Sequence, residues 1–155
     1  MPDRLNPSIA GINIFSGEKG LGGALTNPTE LARKKGSITE AYPVVFAGKR
    51  WSDVESAYHI LGAKTASPAA RDRLMAELIA AKFAQHPALA GAVEARGGAA
   101  FILRCTHWTG AKSEGARAWE GAGPDSRFIR NLAAGWALVE GRSGQLSEQN
   151  QALLF

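Results

Sequence analysis

Pro68-Ala69-Ala70-Arg71-Asp72-Arg73-Leu74-Met75-Ala76-Glu77-Leu78-Ile79-Ala80-Ala81-Lys82-Phe83-Ala84-Gln85-His86-Pro87 is the stretch that decides the fold class. Leu74, Met75, Leu78, Ile79 and Phe83 recur at helical spacing between two prolines. Proline is accepted at the first helical position and stops a helix elsewhere, so the stretch predicts a helix opened by Pro68 and ended by Pro87. A second such pattern runs from Ser126 to Glu140, with Phe128, Ile129, Leu132, Ala133 and Trp136 inward. Ala88 to Ala95 predicts a third helix, stopped by Gly97-Gly98. Upstream, Ser52 or Asp53 caps a helix reaching about Ala63, whose apolar stripe is Val54, Ala57, Tyr58 and Leu61.

The strand signals are fewer and shorter. Gly11 to Phe15 and Tyr42 to Phe46 read as strands, the second with Pro43 at its start. Ala47 to Arg50 reads as a turn, and Phe101 to Cys105 as a strand or a buried apolar segment. Strands and helices do not alternate in a βαβ rhythm, which argues against a doubly wound sheet. The expectation is a mainly helical α+β domain, residues 1–140, with a few short strands. Residues 16–40 are rich in Gly, Pro, Thr and Lys and hold one short helix from Pro28, capped by Asn27 or Thr26. Residues 141–150 read as a polar, mobile tail, and Ala152-Leu153-Leu154-Phe155 as a segment able to dock on the body or a partner.

Composition narrows the function classes. A chain of 155 residues with 45% hydrophobic and 21% charged content is of ordinary globular type. It has no apolar run long enough to cross a bilayer and no signal core near Met1, so the expectation is a cytoplasmic protein without membrane contact. Cys105 is the sole cysteine, and His59, His86 and His107 lack metal-binding spacing, which argues against a disulfide and a structural zinc. Net charge is +4, and the one basic run is Arg33-Lys34-Lys35. That run is either a solvated loop or an attractor of phosphates or a nucleic-acid backbone.

The residues able to do chemistry cluster around two glycine-rich loops. Gly20-Leu21-Gly22-Gly23 lacks the Gly-Lys-Ser/Thr of a Walker loop and the spacing of a Rossmann fingerprint. Asn27 after it offers an amide to a ribose or base, or organises the turn before Pro28. In the second loop Gly121, Gly123, Ser126 and Arg127 form either an anion-binding helix start or a plain cap. Glu55 and His59, four apart on one helix, form either a proton-holding pair or a weak surface pair. Trp119 and His107 flank the second loop and the 101–105 segment, where an aromatic ring can stack on a base. Trp51 and Trp136 are better core candidates than Trp119, and Cys105 reads as a buried inert thiol.

Taken in order, Phe15, Leu25-Thr26-Asn27, Gly48-Lys49-Arg50-Trp51, Ser52-Asp53-Val54-Glu55, Ala81-Lys82-Phe83-Ala84-Gln85-His86 and Trp119-Glu120-Gly121-Ala122-Gly123 resemble the NADAR (YbiA-like) superfamily over roughly residues 12–139. The resemblance implies a compact domain that cleaves N-glycosidic bonds, either of phosphorylated riboflavin precursors or of ADP-ribosylated guanine. It assigns the helix glutamate to Glu55, the ring-flanking aromatic to Trp119 and a ribose contact to Asn27, and implies no metal or organic cofactor. The candidate ligand contacts are then Gly22, Asn27, Trp51, Tyr58, His59, His107, Trp119, Gly121, Ser126 and Arg127. The partner is a small phosphorylated ribosyl substrate or an ADP-ribosylated nucleobase, with nucleic acid possible. The family lysine two turns after the glutamate falls on Gly62. Lys64 is the nearest lysine and the second catalytic candidate, displaced by about 200° on an ideal helix. The runner-up readings are a non-catalytic ADP-ribose or nucleotide binder and a phage- or defence-associated interaction protein with a vestigial pocket.

Overall fold

The structure is a computed structural model that describes the backbone of residues 9–153 and the side chains of residues 9–141. In chain order the elements are α1 (Leu21–Ala24), α2 (Thr29–Lys34), β1 (Val44–Phe46), β2 (Lys49–Trp51), α3 (Val54–Ala63), α4 (Pro68–Gln85), α5 (Pro87–Arg96), α6 (Ala99–Ile102), β3 (Thr106–His107), α7 (Glu114–Arg117), β4 (Gly121–Ala122), a 3-10 turn (Gly123–Asp125) and α8 (Arg127–Leu153). The fold is a mainly helical α+β domain with short antiparallel strands.

The deciding stretch forms α4, with Ser67 Oγ accepting the Ala70 N–H at 3.2 Å and Pro68 in the first turn. Met75, Leu78, Ile79 and Phe83 are buried, and they pack on Phe128, Ile129, Leu132 and Trp136 of α8. The Phe83 and Trp136 rings meet edge to face at 5.1 Å. Burying these large side chains is the main favourable term for so small a domain, on the order of 2 kcal/mol for each.

Around this helix pair the other elements are tied by polar side chains of α4. Lys82 Nζ donates to the carbonyls of Ala24 (2.6 Å) and Thr26 (2.8 Å). Gln85 exchanges two bonds with the backbone of Val45, at 2.8 and 2.9 Å. His86 Nε2–H donates to the Pro43 carbonyl at 2.6 Å. Three polar residues near the end of α4 thus hold the loop after α1 and the start of the β1–β2 hairpin. In that hairpin Val44 pairs with Trp51 and Phe46 with Lys49. Ala47 (φ 53°) and Gly48 (φ 74°) make its two-residue turn, which needs positive φ at both positions.

Three local expectations change and one open reading is resolved. Residues 16–40 hold two short helices rather than one, because Leu21–Ala24 of the first glycine-rich loop coil into α1. Gly11 to Phe15 contributes a single parallel bridge, Asn13 to Thr106, because the Phe15 N–H turns away to the Gly22 carbonyl. Phe101 and Ile102 lie in a short helix: Ile102 N–H bonds Gly98 O and Leu103 N–H bonds Ala99 O, and both side chains are fully buried. Of the two readings, strand or buried apolar segment, the second holds for Phe101, Ile102 and Cys105; an apolar run of this length fits either state, and among the described residues no strand pairs with it. The last helix does not stop at Glu140 but continues as α8 to Leu153, so residues 141–150 are helical; Leu154 and Phe155 of the expected docking segment lie outside the described residues. Among the described residues no helix is long and apolar enough to cross a membrane.

Candidate functional site

A cavity of about 510 Å³ opens where the loop before α2, the start of α3, α4, β3 and the turn before β4 converge. That volume is within the range of small-molecule sites, roughly 300–1,000 Å³. Its aromatic and apolar lining includes Phe15, Tyr58, Met75, Trp119 and Phe128; its polar lining includes Ser16, Asn27, Glu55, His107 and Thr109.

Glu55 stands in the first turn of α3, and Asp53 explains how it gets there. One Asp53 oxygen accepts the Ser56 N–H (2.8 Å), capping α3, and the other accepts the Glu30 N–H (3.0 Å) in the first turn of α2. One carboxylate therefore fastens two helix starts together, and the Glu55 N–H bonds the Asn27 carbonyl at 3.3 Å. Glu55 is open to solvent through the cavity mouth, yet the walls crowd it. Their desolvation raises its carboxyl above the usual range, the Asp53 charge raises it further, and His59 opposes both. Among the described residues Glu55 is the one carboxylate lining the cavity.

The walls are fixed by equally specific contacts. Tyr58 and Trp119 meet edge to face at 5.8 Å. His107 lies 4.4 Å from the Phe128 ring, and its Nδ1–H donates to the Ile14 carbonyl at 2.7 Å. Burial lowers the His107 pKa, which keeps the ring neutral at pH 7 with Nε2 as an acceptor. Asn27 Nδ2 donates to the Met75 sulfur at 3.3 Å, holding the amide at the cavity wall. Asn13 exchanges two bonds with the backbone of Trp108, and Glu120 accepts the Thr109 N–H at 2.5 Å. Together these pin the 107–109 segment beside the turn that carries Trp119.

The candidate residues thus divide. Glu55, Asn27, Tyr58, His107 and Trp119 are brought together around one cavity. The others lie elsewhere. Trp51 is buried in the core, its Nε1–H on the Phe46 carbonyl (3.1 Å), and His59 is exposed on α3 outside the cavity lining. Gly22 is buried against the Asn13 carbonyl, which a Cβ there would meet at 2.6 Å. Gly121 is buried in β4. Ser126 Oγ is consumed in capping α8, donating to the Trp119 carbonyl and accepting the Ile129 N–H. Arg127 pairs with Asp72 at 2.7 Å and stacks on Trp119. Lys64 follows the last residue of α3, exposed and outside the cavity lining, and the Tyr58 ring covers Gly62, 3.4 Å from where a Cβ would stand. Neither position supplies an amine to the cavity.

Sequence reasoning missed Ser16, Leu31 and Thr109 as lining residues and missed Asp53 as a double cap; no local pattern marks contacts between segments so far apart. Among the described residues no group of three or more His, Cys, Asp or Glu side chains is placed to hold a metal ion. The chain matches no protein-family profile, no curated protein and no solved structure.

Proposed function

We propose that the chain is an N-glycosidase acting on a phosphoribosyl or ADP-ribosyl compound. The observation that carries this reading is Glu55, the one carboxylate among the described residues set in the aromatic-walled cavity, fixed by the first turn of α3. Departure of a base from a ribosyl carbon leaves an oxocarbenium-like sugar, and a carboxylate beside that carbon stabilises the charge or takes a proton from the attacking water. Tyr58 and Trp119 suit the flat base and sugar faces by stacking, and neutral His107 offers Nε2 as an acceptor for a sugar hydroxyl. Base release from ADP-ribosylated guanosine and from phosphorylated aminopyrimidine and pyrimidinone ribosides tests the reading. Release that disappears in Glu55→Gln, with ligand affinity retained, is the expected result; undiminished release from that variant refutes the assignment.

The absence of a lysine from the lining among the described residues favours one second reading, a binder of ADP-ribose or nucleotides without turnover. Saturable binding with no base released from any of these compounds would establish it.

A further inference from the structure

A phosphorylated ribosyl ligand needs a cationic partner, and the second glycine loop is poorly placed to give one. Ser126 is spent on capping, and Arg127, outside the cavity lining, gives its Nε–H to Asp72 while its Nη2 is buried without a hydrogen-bond partner. Among the described residues the cavity lining contains no lysine or arginine, while it does contain the acid Glu55.

One ammonium nevertheless reaches the lining. Lys35 Nζ donates to Ser16 Oγ at 2.6 Å and lies 4.8 Å from the centroid of the Phe15 ring, and Ser16 and Phe15 both line the cavity. The placement is built rather than incidental. The Lys35 N–H bonds the Leu31 carbonyl at the end of α2, and the chain then turns so that the Ser37 N–H bonds Ala32 O. Ser37 Oγ–H donates to the Ser16 carbonyl at 2.7 Å, which locks the two segments together. Ser16 is itself buried, 4% exposed. Among the described residues Lys35 has no carboxylate within ion-pair distance, whereas Arg33 is paired with Glu30 at 2.9 Å. An ammonium has three N–H donors and one is on Ser16; a hydroxyl that accepts that bond still has its own proton to give. The corner therefore presents two kinds of donor, one of them charged, to a single anion.

We propose that Lys35 and Ser16 form the phosphate-binding end of the cavity, holding the phosphate of a ribosyl phosphate ligand. This rests on the proposed function for the ribosyl part of the ligand, but its test does not depend on turnover. Calorimetric titration of the full chain with ribose 5-phosphate and with ribose reads the phosphate preference directly. Charge-assisted hydrogen bonds to phosphate give the wild type a preference of roughly tenfold or more. Lys35→Gln is expected to bring it within about threefold, Ser16→Ala to reduce it, and Lys35→Arg and Arg127→Gln to leave it in place. A preference that survives Lys35→Gln, that falls instead in Arg127→Gln, or that is missing from the wild type overturns the proposal. Phosphate preference without base release leaves this site standing and sinks the glycosidase; base release indifferent to the phosphate does the reverse.

Discussion

Gly135→Ala tests the helix pairing on which the fold is built. In an exposed helix interior, replacing glycine by alanine stabilises by about 1 kcal/mol, because alanine loses less conformational freedom. At Gly135 of α8 a Cβ would stand 2.6 Å from Ile79 Cγ2, 2.8 Å from Ile79 Cβ and 2.9 Å from the Ala76 carbonyl oxygen. The Ile79 methyl can rotate away, but the carbonyl belongs to the backbone of α4 and moves only if the two helices separate. Overpacking of this kind costs about 1–3 kcal/mol, with the upper part of that range expected where backbone must yield. The net loss is then roughly 1–2 kcal/mol, a fall in Tm of about 2–8 °C for a chain of this size. Gly91, inside α5 with nothing within 4 Å of its added Cβ, is the matched control. There the same change is expected to raise Tm by roughly 2–4 °C. Thermal unfolding followed by circular dichroism at 222 nm compares the two directly. A Gly135→Ala protein as stable as Gly91→Ala would show that α4 and α8 do not meet as described.

Four other predictions concern the site and the residues that frame it. Glu55→Gln is expected to lower base release by about 10²–10⁴-fold with unchanged Tm, measured by steady-state release on whichever compound the wild type cleaves. Asp53→Asn removes a charge that raises the Glu55 pKa, so the acidic limb of the activity profile, or the Glu55 resonance in an NMR titration, should move to lower pH; a shift upward contradicts the proximity of the two groups. Asp53→Ala also loses two helix caps, about 1 kcal/mol each, and its Tm should fall further than that of a Ser67→Ala variant, which loses one. Burial pulls the Lys82 amine down to about 7, against the opposing attraction of Asp53. The unfolded chain then binds more protons than the folded one between pH 7 and the ordinary lysine value, so the penalty is full below 7 and is relieved as pH rises. The stability advantage of wild type over Lys82→Met, read from urea midpoints, should therefore grow from pH 7 to pH 10; an advantage that shrinks over that window refutes a depressed pKa.

Much of this molecule is legible along the chain, where the cause is local. The spacing of Met75, Leu78, Ile79 and Phe83 makes α4 a helix wherever it packs, and Pro68 and Pro87 set its ends. The pattern from Phe128 to Trp136 does the same for α8, and Asp53 before Val54 places Glu55 in a first helical turn. Those facts rest on periodicity, proline sterics and capping, which act over a few residues. What tertiary structure alone decided involves partners far apart in sequence. Whether Phe101-Ile102 paired as a strand or coiled into α6 depended on what lay beside it. Whether the donors of the second glycine loop faced a ligand depended on Trp119 and Asp72, which take up the Ser126 hydroxyl and the Arg127 Nε–H. Lys35 reads as one cation of a basic run until α2 and its closing turn bring it to Ser16, nineteen positions earlier. Whether a donor is free at a site depends on which distant acceptor reaches it, so its availability is settled by packing over the whole fold, after local patterns have already fixed the helices that carry it.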